Sequence, residues 1–264
     1  FMFRNLPPIT KNLLLINLIC YLADVVFQRY GISFSHLFGL HYLTASDFRV
    51  WQPLTYMFMH ANFSHIFFNM FAVLMFAPAL EERWGGKRFL IYYLVTGLGA
   101  AVIQEAVWAM QLQPVLNSVN TVMAASLANR VVTIGASGAV FGILLAFGWL
   151  FPEVRMFIMF IPIPIRARTL VIIYALIELF SGIAPTAGDN VAHFAHLGGM
   201  IFGWLLILWW RHRGYDGFDS TPWNDGRLKR WFKEKWEKFF PSKHPRINRD
   251  KDSDYRDYHY HEPL

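Results

Sequence analysis

The chain has 264 residues, of which 55% are hydrophobic and 16% charged, against about 25% charged in an average soluble domain. A soluble core cannot absorb that much apolar surface, so composition excludes an ordinary globular protein and predicts an all-α polytopic membrane protein. The formal net charge is +6, but 13 of the 24 Lys and Arg residues follow Trp210; a basic tail directly after a hydrophobic span indicates cytoplasm and lipid headgroups rather than nucleic acid.

Six apolar segments, at about residues 10–28, 63–80, 89–110, 136–151, 168–183 and 191–210, predict a bundle of six transmembrane helices. No small-residue cleavage pattern follows the first, which is therefore expected to be a retained helix. It contains Cys20, the single cysteine, which leaves no intrachain disulfide and a packing role. The connection 29–62 is long and holds Phe34, Phe38, Tyr42, Phe48, Trp51, Tyr56 and Phe58, a composition suited to an outer loop lying in the headgroup region. Segment 136–151 falls short of the roughly 20 residues needed to cross about 30 Å of hydrocarbon. A short helix shielded by neighbours can start below the membrane surface, at the floor of a water-filled cavity. The run Met156 to Ile165 is apolar, but Pro162 and Pro164 argue for an interfacial inner loop rather than a seventh span.

With the N-terminus inside, the inner segments before the tail hold Arg4, Lys11, Arg83, Lys87, Arg88, Arg155, Arg166 and Arg168, and the outer loops only Arg29, Arg49 and Arg130. Positive loops stay in the cytoplasm, so both termini are expected there, in a multi-pass protein of the cell (inner) membrane. Residues 1–210 would form the transmembrane domain and 211–264 a basic cytoplasmic tail. Within the tail, Leu228, Phe232, Trp236, Phe239 and Phe240 recur at helical spacing. Residues 227–240 read as an amphipathic helix on the inner leaflet or, equally, as a solvated helix or a fragment of a small appended domain. From Pro241 to Leu264 the chain is charged and poor in apolar residues, and is expected to be disordered.

Three separated motifs carry candidate chemistry. Gly135-Ala136-Ser137-Gly138 opens the fourth segment, placing the Ser137 hydroxyl at a helix N-terminus where backbone N–H groups face any developing negative charge. Alone, such a motif is more often a helix-packing device. Ala195-His196-Leu197-Gly198-Gly199 lies in the last segment, where Ala192, Ala195, Gly199 and Gly203 share one face; Gly138, Gly142 and Ala146 offer a matching face on the fourth. Two helices so faced can pack backbone to backbone and bring His196 to Ser137. A histidine within a membrane helix is costly enough to indicate function. The third motif, His60-Ala61-Asn62-Phe63-Ser64-His65 followed by Asn69, puts His65 and Asn69 four apart on one helix face at the same outer depth. Both can donate hydrogen bonds to an oxyanion. By themselves they would read as an ordinary interhelical hydrogen bond.

These residues resemble those of rhomboid intramembrane serine proteases of the bacterial six-helix type. The likeness covers roughly residues 10–210 and includes the Trp51 loop, His60, the His65/Asn69 pair, Gly-x-Ser-Gly at 135–138, and the Ala-His motif with Gly199 and Gly203. The resemblance implies a serine endopeptidase with Ser137 as nucleophile and His196 as general base and then acid. It also implies an oxyanion site from His65, Asn69 and the Ser137 backbone N–H, transmembrane proteins as substrates cut near the outer side of the bilayer, and no metal or other cofactor. Two positions depart from the family's habit: Gln52 stands where an arginine often follows the loop tryptophan, and Phe141 where a tyrosine often lies four residues beyond the serine. Phe141 keeps an aromatic face for His196 to stack on, whereas Gln52 removes a charged loop anchor.

Serine is a poor nucleophile without a neighbouring base, and a dyad lacking a carboxylate must orient its histidine by packing. Asp189, seven residues before His196, reads as an N-cap of the last helix rather than a third member. His193 is expected to cap or line the cavity mouth. Asp24, Glu105 and Glu178 lie toward outer helix ends, where contact with water or headgroups accounts for them better than an ion path does, since no paired broken helices indicate a transporter. The His-Glu-x-x-His of a helical metalloprotease site is absent. The competing reading is an inactive rhomboid-like protein that binds membrane clients without cutting them; such proteins usually lose the serine or the histidine, and both are present here.

Overall fold

The computed structural model describes residues 6–158, 161–183 and 192–215. Asp189 and the tail elements at 227–240 and 241–264 lie outside them. In chain order the helices are α1 (Pro8–Gln28), α2 (Phe34–Phe38), α3 (Gln52–Thr55), α4 (Phe63–Trp84), α5 (Gly86–Gln111), α6 (Gln113–Ser118), α7 (Thr121–Arg130), α8 (Ser137–Leu150), α9 (Ala167–Ile183) and α10 (His193–His212). Short strands β1 (Leu40–His41) and β2 (Val132–Thr133) pair antiparallel, as do β3 (Arg155–Ile158) and β4 (Ile161–Arg166).

Each of the six apolar segments lies in a helix: α1, α4, α5, α8, α9 and α10. Four helical stretches, Pro8–Gln28, Phe63–Trp84, Gly86–Ser118 and His193–His212, are long and apolar enough to cross a membrane. Helix α8 has 14 residues and so spans about 21 Å at about 1.5 Å per residue. Local chemistry sets several of the boundaries. Pro8 suits the first turn of α1, where a missing N–H costs nothing, and Glu81, near the far end of α4, accepts hydrogen bonds from Ile9 N, Thr10 N and Thr10 Oγ1 at 2.9, 2.7 and 2.7 Å. Asn62 caps α4 by accepting from His65 N. Gly85, at φ +80°, takes a positive-φ conformation open to glycine, which lets the chain pass from α4 directly into α5.

At the centre α10 packs against α5 and α8, and α5 against α8. The small-residue faces foreseen on α8 and α10 meet backbone to backbone at Gly138 and Gly199. One turn on, α5 fills the groove: Gly142 faces Thr96, Gly203 faces Tyr92, and the Tyr92 hydroxyl donates to the Gly142 carbonyl at 2.8 Å. Small residues here admit a third helix as well as a close pair.

The connection 29–62 contains α2, β1, α3 and a 3₁₀ turn at Tyr56–Phe58. Of its aromatics, Tyr42 and Tyr56 are core residues, and Tyr56 donates its hydroxyl to Gly97 O at 2.7 Å. Gln52 is buried and anchors the segment without charge. Its Nε2 donates to Leu37 O and Asp47 O, and its Oε1 accepts from His41 N and Arg49 N. Of the run at 156–165, expected to be a loop, residues 156–158 and 161–165 lie in the paired strands β3 and β4, whose register shifts between Phe157 and Ile158. The two prolines thus exclude a helix, as reasoned, while an irregular strand pair tolerates them.

Candidate active site

Ser137 is the first residue of α8, and the turn before it is specific. Gly135 sits at φ +126°, a conformation side chains disfavour, and a Cβ there would lie 2.6 Å from His65 Nε2. Its N–H donates to Tyr56 O at 2.9 Å, fixing the turn to the segment before α4. Glycine at 135 therefore lets the chain turn into α8 with the His65 ring alongside.

His196 is in the first turn of α10, 8% exposed. Its Nε2 lies 2.8 Å from Ser137 Oγ, and Ser137 is half-buried rather than sealed. Phe141, one turn along α8 from the serine, stacks on the imidazole with centroids 4.4 Å apart and planes 9° from parallel. Gly199, one turn beyond His196, lies against the Gly138 backbone. The distance between serine and histidine is thus set by contact between the two main chains.

His65 and Asn69 stand four residues apart on α4, with the His65 ring beside Gly135. Ala61 N donates to His65 Nδ1 at 3.4 Å, which leaves Nε2, beside Gly135, as the protonated nitrogen able to donate. Asn69 is buried and spends one amide hydrogen on His65 O at 3.0 Å. His60 packs edge-on against His65 at 5.0 Å. Burial, reinforced by His65, holds its imidazole down at about 3, so it stays neutral and serves as apolar backing to His65.

Glu178, on α9, differs from its expected place among water or headgroups. It is 8% exposed, and its Oε2 lies 2.9 Å from His196 Nδ1 and 2.7 Å from His193 Nδ1. Asp24 likewise turns inward, accepting from Phe34 N, Ser35 N and Ser35 Oγ, and Glu105 accepts from Leu43 N. The acid missed by sequence reasoning carried one signal: a carboxylate in an apolar helix, near the end that leads to the histidine's helix. Among the described residues, two groups bring three potential metal-ligating atoms within 4.8 Å of one another: His36, His41 and Asp47, and Glu178, His193 and His196. In the second, both histidine Nδ1 atoms already face the carboxylate.

The chain matches the Rhomboid domain family over residues 47–213, a stretch that contains the three motifs, the Ser137–His196 contact and Glu178. The protein belongs to the rhomboid family. Among the curated rhomboids it resembles, Rhomboid-like protein 11, chloroplastic, of Arabidopsis thaliana is 28% identical over 209 residues, covering 74% of this chain and 62% of that protein. RHOMBOID-like protein 6, mitochondrial, of the same plant is 27% identical over 174 residues, 65% of this chain and 48% of its own length. Rhomboid-like protease 3 of Toxoplasma gondii is 28% identical over 178 residues, 66% and 57% respectively. The chain spans less than two thirds of the length of each, and one of the three rhomboids is named as a protease.

Proposed function

We propose that this rhomboid is an intramembrane serine endopeptidase that cuts transmembrane segments of other membrane proteins near the outer side of the bilayer. The observation that carries the reading is the 2.8 Å approach of His196 Nε2 to Ser137 Oγ, between residues 59 apart in the chain. As Oγ attacks the scissile carbonyl, its proton passes to Nε2 and the carbonyl π electrons move to oxygen. Collapse of the tetrahedral adduct expels the amine, which takes the proton from Nε2. Water then repeats the sequence on the acyl-enzyme, with His196 again as base. The Ser137 N–H at the start of α8, His65 Nε2–H and the second amide hydrogen of Asn69 are the donors for the oxyanion.

The protease works, in this reading, within a six-span bundle over residues 1–210, with both termini in the cytoplasm and residues 211–264 as a basic tail on the inner side. The shortness of α8, about 21 Å against about 30 Å of hydrocarbon, supports a serine set below the outer surface in a pocket that water can reach. Reconstitution in vesicles with a single-span substrate tests the function. Cleavage near the outer end of the substrate, lost in Ser137→Ala and His196→Ala, is the expected result. Capture of the substrate with no cleavage by the unaltered protein would favour the client-binding alternative.

A further inference from the structure

We propose that Glu178 is a positioning residue for His196, its carboxylate holding the imidazole in the tautomer and orientation that Ser137 requires. The proposal deepens the protease reading and rests on it. An imidazole has two nitrogens, and only the one without a proton can accept from serine. An ionised carboxylate accepts hydrogen bonds and cannot donate, so Glu178 Oε2 at 2.9 Å from Nδ1 favours the proton there and leaves the Nε2 lone pair facing Ser137 Oγ at 2.8 Å.

Two contacts divide the work of orienting the ring. Phe141, nearly parallel at 4.4 Å, fixes its plane but would hold a ring flipped by a half-turn equally well. Glu178 distinguishes the two faces of that flip, because only one of them directs Nδ1–H at the carboxylate. Packing alone, the means of orientation expected for a dyad, leaves this choice open. As His196 takes the serine proton, the buried carboxylate also faces the charge that forms, where low surrounding polarity strengthens the attraction.

Helices α9 and α10 supply the arrangement jointly. Among the described residues, the other titratable groups facing it are His193 on α10, which shares Oε2 at 2.7 Å, and His65 on α4, close enough to interact electrostatically with His196. His193 gives Oε2 a second donor, which helps an ionised carboxylate persist where only 8% of the residue is exposed.

The test is the rate at which a fluorophosphonate labels Ser137 in the detergent-purified full chain, measured from about pH 5 to about pH 9. Glu178→Gln, nearly isosteric but uncharged, is expected to label about ten- to a hundredfold more slowly. Its acidic limb should move to lower pH by about one unit, since losing an adjacent negative charge disfavours imidazolium. Glu178→Asp keeps the charge on a shorter arm and should retain the limb near its original place with an intermediate rate. Thermal unfolding identifies any variant that fails to fold, and if Gln does so the Asp variant carries the comparison. A slower rate with an unmoved limb in Glu178→Gln would show a merely structural role, and an unchanged rate would show none; either overturns the proposal. Failure of the unaltered, folded protein to label at all would instead remove the nucleophile reading beneath it.

Discussion

Replacing Gly199 with alanine adds one methyl group at the place where α10 touches α8. The new Cβ would stand 2.7 Å from the Gly138 carbonyl carbon, with the carbonyl oxygen nearer still. Carbon atoms in ordinary contact lie about 3.5–4.0 Å apart, so the helices must separate by about 1 Å. The obstacle is backbone at the start of α8, which cannot turn aside as a side chain would. Carried to the site one turn away, that displacement stretches the 2.8 Å Ser137–His196 contact beyond hydrogen-bonding range. A misplacement of about 1 Å in a catalytic arrangement costs about a hundredfold in rate, and overpacking of this kind costs about 1–3 kcal/mol of stability. Fluorophosphonate labelling of the purified variant, paired with its thermal unfolding midpoint, measures both. Gly199→Leu, bulkier, should be inactive. Labelling by Gly199→Ala within about threefold of the original would refute the claim that main-chain contact sets the site distance.

Other substitutions probe separate parts of the structure. Gln52→Ala removes a buried amide that serves four backbone groups, and should destabilise the protein by about 2–4 kcal/mol on the usual cost of orphaned buried groups; limited proteolysis should report new cuts within residues 29–62. His65→Ala deletes a proposed oxyanion donor and should lower kcat by about a hundredfold with little change in KM. An equal rise in KM alone would assign His65 to substrate binding. His60 titrates at about 3 when folded and near 6.5 when unfolded, so below about pH 6.5 the unfolded chain binds a proton that the folded chain refuses. Stability should therefore fall by about 1.4 kcal/mol per pH unit from there down to about pH 3, a slope that His60→Phe should flatten in acid unfolding curves.

Much of the helical framework was legible because apolar run length is a strong signal: all six segments appear as helices at close to their expected bounds. Ser137 and His196 were legible from their small-residue surroundings, since Gly138 and Gly199 encode the close approach that joins them. The contribution of α5 was not, because Thr96 and Tyr92 carry no mark that they would fill the groove beside Gly142 and Gly203. Helices α6 and α7 escaped notice, being short and weakly apolar, although Asn120 signals the second by capping it through Met123 N. Glu178 was misread because depth along a helix says nothing of which way a side chain turns. Its partners lie 15 and 18 residues away on the next helix, and only the α9/α10 packing decides that it faces inward. Gln52 shows a related limit. Judged by charge it looked like a lost anchor, while its amide, with both a donor and an acceptor, binds four backbone groups.

The most direct measurement is the mass and position of a fluorophosphonate adduct on the folded protein near neutral pH. One adduct on the Ser137 hydroxyl, abolished by Ser137→Ala and reduced at least about a hundredfold by His196→Ala, is the predicted result. A chain that remains unmodified, or that reacts as fast without the imidazole at 196, would contradict the account.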